Sequence, residues 1–333
     1  MTATVAKAEL HCHLEGAAPP ALVRALAGRN GVALPDGLFA ADGGFAWHDF
    51  TSFLAAYDAA SSTMRSGDDY RDVTRAYLEA CAGEGALYVE LFASPDHAAT
   101  VGLGYGEQIA GIAAGIDAAE TAHGIVARII VTCVRHLGPA RAGRIVEVMR
   151  AEPHRYVVGF GMAGDETVGT VADFVPAFAA ADAAGFGCTA HAGELAGPDS
   201  VRAVLAALPV SRIGHGVRAI EEPALVDELA RRGTVLEVCP GSNVAVGVYP
   251  DLAHHPLPAL LAAGCRVTLN SDDPPYFDTS IGTEYDRAAA AFGLDRATLT
   301  TFTATAIDAA FVDDGTKERL RARLADKAEE ERA

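Results

Sequence analysis

Two imidazoles two residues apart, His11 and His13 in the run KAELHCH, are the first chemistry the chain offers. Alternate side chains of an extended strand share a face, so both rings point one way and Cys12 the other. Two more metal-binding side chains stand at the ends of later apolar runs: His191 closes GFGCTAH, and Asp272 follows CRVTLNS. If these runs are parallel strands of one sheet, three imidazoles and a carboxylate meet at its end. That N₃O set suits one Zn²⁺ with an open position for water. The competing reading is histidines satisfied by backbone in a core, and the recurrence of the pattern at three strand ends argues against it. Beside these lie Glu194 in HAGE, His215 in RIGHG and Asp273 next to Asp272. Of two adjacent carboxylates near a cation, one can ligate while the other hydrogen-bonds substrate. Glu194 in a closed pocket can donate a proton, and His215 can orient or deprotonate a water. The plainer readings are a helix-terminal carboxylate for Glu194 and a strand-end hydrogen bond for His215.

Other chemistries lack their parts. GFGMAG (159 to 164) fits a dinucleotide fingerprint, but it follows the fourth β-like run, and the next run ends in His191 where an acidic ribose ligand is expected. Its glycines can instead let backbone N–H groups approach a ligand. The only lysines are Lys7, Lys317 and Lys327, none at the end of a middle strand, so neither a Schiff base nor a lysine-bridged metal pair is available. One metal per chain is expected. GxSxG is absent, and no cysteine is placed for thiol catalysis. Among the remaining histidines, which default to surface or packing roles, only His48 draws attention.

The elements that must position these residues are short β-rich runs at 7–13, 86–93, 127–133, 156–161, 185–191, 211–216, 234–239 and 265–271, most of them followed by an Ala/Leu-rich helical stretch. Eight βα units in 333 residues fit a single-domain (β/α)8 TIM-type barrel over residues 1–333. The first step is much the longest and holds an insertion at about 17–80. Within it WHDFTSFLAAYD sets Trp47, Phe50, Phe53, Leu54 and Tyr57 on one helical face, either as ordinary core or as a lid over the barrel mouth. The tail at about 317–333 reads as a charged, solvated helix that frays. With 26 Lys and Arg against 44 Asp and Glu, a net charge of −18 argues against nucleic acid and anionic membranes as partners. No stretch approaches a membrane span, and the six cysteines form no CxxC pair. A soluble, cytoplasmic chain with reduced core thiols is expected.

Taken together, KAELHCHLEG, MAGDE, HAGE, RIGHG, CPGSN and NSDDP resemble the adenosine deaminase family, in order and spacing, across most of the chain. The resemblance implies a barrel in which His11, His13, His191 and Asp272 hold Zn²⁺, with Asp272 also catalytic and His13 also facing substrate. Glu194 would protonate purine N1, and His215 would hold and help deprotonate the attacking water. Asp273 would contact N7 and the Gly164 N–H would contact N3, under a lid of Phe50, Phe53, Leu54 and Tyr57. Two residues depart from the adenosine pattern: Glu15 stands where Asp is usual near the ribose, and Gly161 replaces an Asp. The expected reaction is deamination of adenosine and 2′-deoxyadenosine to inosine and 2′-deoxyinosine, with ammonia released. Adenosine is preferred to free adenine because RIGHG and CPGSN replace the RIDHG and CPLSN of adenine-specific relatives. The alternatives are aminodeoxyfutalosine, adenine or another 6-aminopurine as substrate, or a non-catalytic binding protein of the same fold.

Overall fold

The computed structural model of the chain describes residues 5–330. The last residues assigned to the C-terminal helix, 331–333, lie outside them. Eight strands form close to the expected runs: β1 (Lys7–His13), β2 (Ala86–Ala93), β3 (Val126–Val134), β4 (Val157–Ala163), β5 (Gly187–Ala192), β6 (Arg212–His215), β7 (Val235–Val238) and β8 (Arg266–Leu269). They run parallel in the order β1 to β8. The runs are apolar almost throughout because helices cover one face and the barrel interior fills the other. Closure between β8 and β1 is made at the top, where His13 N donates to Asp272 O at 2.9 Å and Asp272 N to His11 O at 3.1 Å. Lower down, side chains fill the seam: Leu10 N donates to Asn270 Oδ1 at 2.9 Å, and Ser271 N to Glu9 Oε1 at 2.6 Å. The seam that closes the barrel, β1 with the segment just after β8, thus carries three of the four candidate metal ligands.

Between β1 and β2 lie α1 (Pro20–Asn30), α2 (Phe50–Ser61) and α3 (Gly67–Gly83), the expected insertion. Asp49 starts α2 with a capping box, accepting from Ser52 N at 2.7 Å while Asp49 N donates to Ser52 Oγ at 3.0 Å. The Trp47 indole N–H donates to Tyr276 O at 3.1 Å, and Phe53 packs among Trp47, Tyr57, Tyr276 and Phe277. This cluster ties α2 to the loop after β8. His48 points away from it, with its side chain 82% exposed, and has no place in the site.

One expectation fails here. The C-terminal helix, Asp314–Glu330, is not solvated all round: Leu320 and Leu324 are buried with Ala6, Leu10, Leu87 and Tyr88 under the barrel. Two leucines one turn apart make a narrow apolar stripe that the surrounding charge obscures. The glycines of GFGMAG serve different ends: Gly164 lines the cavity at the mouth of the barrel, whereas Gly159 lies deeper. A Cβ on Gly159 would lie 2.6 Å from Ile130 Cδ1 and 2.9 Å from Phe311 Cδ2, so that glycine makes room for side chains inside the barrel. No helix among the described residues is long and apolar enough to cross a membrane, and all six cysteines are free and buried.

Candidate active site

Strand ends and the loops after them enclose a cavity of about 90 Å³ at the C-terminal mouth of the barrel. His13, Glu15, Gly164, His191, Glu194, His215, Asp272 and Asp273 line it, and Phe50, Phe53, Leu54 and Tyr57 of α2 cover it. His11 lies beneath, fully buried. The residues given ligand, catalytic or substrate-contacting roles from the sequence therefore reach one place, and His48 does not.

The hydrogen bonds of the imidazoles turn their free nitrogens inward. His11 Nδ1 sits 2.9 Å from Glu237 Oε2, and His191 Nδ1 sits 2.9 Å from Met162 O, both acceptor-only partners, so each Nδ1 carries the proton. That leaves the Nε2 lone pairs facing the centre. His13 Nε2 approaches His191 Nε2 to 3.2 Å and Asp272 Oδ1 to 3.4 Å, while His11 Nε2 lies 3.6 Å from the same oxygen and has no hydrogen-bond partner. Lone pairs and a carboxylate this close repel unless a cation lies among them. Donor atoms of His11, His13, His191 and Asp272 all fall within 4.8 Å of one another, and a second such set, His11, His215, Cys239 and Asp272, shares two members and describes the same centre. The site is a buried His/Asp metal site, with the carboxylate behind His11 orienting the ring as such ligands commonly require.

Electrostatics sort the other carboxyls. Burial, then the charges of Asp272 and Glu166, holds Glu194 well above the usual carboxylate range. Burial and then Asp272 does the same to Asp273, whose Oδ1 has no partner. Both are set up as protonated donors. Asp272 is held well below its ordinary value: burial opposes this, but the surrounding imidazoles of His11, His215 and His13 outweigh it. Burial pushes His215 down to about 3, so its ring is neutral. A chain of bonds fixes its tautomer. Leu257 N donates to His255 Nδ1 at 3.2 Å, so His255 Nε2–H faces Asn243 Oδ1 at 3.2 Å. The Asn243 amide nitrogen then faces His215 Nδ1 at 3.1 Å, and the His215 proton sits on Nε2, 3.6 Å from Glu194 and 3.9 Å from Asp272.

Sequence reading missed several contributors. His97 and His136, taken as surface or packing residues, line the cavity, and His97 Nε2 meets Asp58 of α2 at 3.2 Å. Glu237 carried a readable signal, being a lone carboxylate inside the apolar run TVLEVC. Asn243 and Glu166 lay in CPGSN and MAGDE, where nothing in the spacing showed what they would touch.

Comparisons with known proteins agree on kinship. The adenosine deaminase family profile matches residues 6–327. An adenine deaminase of Agrobacterium fabrum is 51% identical over 326 residues, covering 98% of this chain and 100% of that protein. One from Chelativorans sp. is 52% identical over 318 residues, covering 96% and 97%. Among solved structures, adenine deaminase from Arthrobacter aurescens superposes with a TM-score of 0.89 at 31% identity, covering 98% of this chain and 99% of that one. An amidohydrolase from Burkholderia ambifaria with bound Zn gives 0.88 at 31% identity, covering 98% and 91%.

Proposed function

The chain belongs to the adenosine and adenine deaminase family of the amidohydrolase superfamily, and from that premise we propose that it hydrolyses adenine to hypoxanthine and ammonia. The observation that carries the substrate is the identity of about half the residues, over nearly the full length of both chains, with proteins that are adenine deaminases. This corrects the expectation of adenosine. RIGHG and CPGSN misled because their variable glycines do not line the cavity. A Cβ on Gly214 would lie 2.9 Å from His11 Cε1, and one on Gly241 would lie 2.1 Å from Glu284 Oε1, so both positions record packing behind the site.

One feature of the cavity supports a bare base. Glu15, expected near a ribose hydroxyl, is instead tied into the wall, with Oε1 accepting from Ser94 N at 3.0 Å, Gln108 Nε2 at 3.2 Å and the Tyr70 hydroxyl at 3.3 Å.

His11, His13, His191 and Asp272 would hold one Zn²⁺, which the convergent lone pairs fit. When bound, such an ion supplies Lewis acidity that lowers the pKa of water towards about 7. The chain's own residues do the rest. Glu194, kept protonated by burial, donates to N1 and makes C6 electrophilic. The His215 Nε2–H holds the attacking water, and its tautomer favours Asp272 over His215 as the group that takes the water's proton. Asp273, also protonated, donates to N7, and the Gly164 N–H faces N3. Oxygen bonds to C6, the amino group leaves, and the water's two protons restore Glu194 and complete ammonia. Reduced cysteines support a reducing compartment such as the cytoplasm.

Ammonia release from adenine, adenosine, 2′-deoxyadenosine and a 5′-substituted nucleoside tests the reading. Adenine is expected to give the highest kcat/KM, and turnover of a nucleoside above adenine would overturn it.

A further inference from the structure

Glu166 touches no reacting atom in the chemistry above, where only its charge bears on Glu194, yet its buried carboxylate collects five donors. Oε1 accepts from Gly193 N at 2.5 Å and from the Ser200 hydroxyl. Oε2 accepts from the N–H groups of Glu194, Leu195 and Ala196 at 3.2, 3.0 and 2.9 Å. The four amides are consecutive, and they form the turn that leaves β5 and enters the helix Pro198–Ala207. Gly193, at φ +71°, starts that turn. Successive amides aimed at one point make an anion-binding nest, and buried amides without an acceptor are costly. Here the chain supplies the anion itself, from the loop after β4. Glu194 is the second residue of the nest.

We propose that Glu166 is a positioning residue: its carboxylate fills the nest and fixes the turn that presents the Glu194 side chain to the base. It does not line the cavity, so it acts through Glu194 and not on substrate. The proposal rests on the role given to Glu194 above. A glutamine offers one acceptor oxygen and sets an NH₂ against amides, and an aspartate falls one methylene short of the nest.

The test is a double-mutant cycle on the metal-loaded enzyme, with kcat, KM, metal content and Tm measured for Glu166→Gln, Glu194→Gln and both together. Glu166→Gln is expected to lower kcat by about 100-fold while KM changes less than about threefold and metal is retained. In the Glu194→Gln background the same substitution is expected to change kcat by less than about twofold, because the residue it acts through is already disabled. Effects that multiply in the double variant would overturn the proposal, as would parent-like kcat in Glu166→Gln. If Glu166→Gln does not fold, Ser200→Ala removes one donor and leaves the amides in place. The same cycle is then expected to show about a threefold loss of kcat that vanishes without Glu194. A parent enzyme inactive on adenine but active on another aminopurine would refute the substrate alone, and additivity on that aminopurine would refute the positioning role alone.

Discussion

His215 and Asp272 hold φ of 60° and 66°, a region that costs a side-chain-bearing residue on the order of 1–3 kcal/mol. Both lie at strand ends in the cavity, and the turn out of extended geometry is what aims their polar atoms at its centre. Glu194→Gln keeps size and hydrogen bonding but cannot deliver a proton to N1. It is expected to retain metal and to lower kcat by several orders of magnitude, about 10³-fold or more, with KM changed far less. Steady-state kinetics with metal analysis checks this, and turnover near that of the parent would remove Glu194 from the reaction. The tautomer of His215 gives a second expectation. In Asn243→Asp a carboxylate would face both His255 Nε2–H and His215 Nδ1, drawing the His215 proton to Nδ1 and leaving Nε2 bare. Loss of kcat by about tenfold or more with metal retained is expected, because the site would lose a charge-directed donor. ¹⁵N spectra of histidine-labelled protein should show the proton moving between ring nitrogens, and an unchanged spectrum would break the relay.

Elements were legible where one physical signal governed them. Strands buried on both faces read as apolar runs, and ligands at their ends stood out because polar side chains have few reasons to be there. The aromatic face of α2 was legible from its spacing, since period 3.6 survives in sequence whatever it packs against. What failed depended on partners far along the chain. His97 faces the cavity because α4 (Pro95–Thr100) turns it towards Asp58, a contact that no local pattern encodes. The Gly214 and Gly241 motifs looked like substrate determinants because only the fold shows them pressed against His11 and Glu284. The C-terminal helix failed for a similar reason: two leucines among many charges carry little periodicity, yet Leu320 is only 1% exposed. Leu320→Ala should therefore destabilise the protein by about 2–5 kcal/mol, the range for truncating a buried leucine. Denaturant melts would show this as a lower midpoint with KM for adenine unchanged. A midpoint equal to that of the parent would return the helix to the solvated role first expected of it.

Across the whole molecule, charge runs through the barrel from bottom to top. Phe311, in the segment before the C-terminal helix, lies against the fully buried Arg212 guanidinium at 3.6 Å, closing the lower end. Arg212 pairs with Glu90 of β2 at 2.6 Å and with Glu237 of β7 at 2.7 Å, and the other oxygen of Glu237 holds His11. One carboxylate thus serves both the cation that fills the barrel and the ring that faces the metal site. A buried charge stripped of its partner costs about 3–5 kcal/mol, whereas a neutral acceptor behind a ligating histidine typically weakens metal binding about 10–100-fold. Glu237→Gln should show both effects. Its affinity for Zn²⁺ should fall by about 10–100-fold in competition with a chelator, and its Tm should fall even in the metal-free state, because Arg212 keeps its charge and loses one of two counter-ions. Chelating the parent should also lower Tm, and restoring Zn²⁺ should recover it, since ligand binding to the folded state alone adds stability by mass action. The order of the metal-free melts separates the two effects. If metal-free Glu237→Gln melted with the metal-free parent, Glu237 would serve only the metal, and the barrel's charged interior would stand on Glu90 and Arg212 without it.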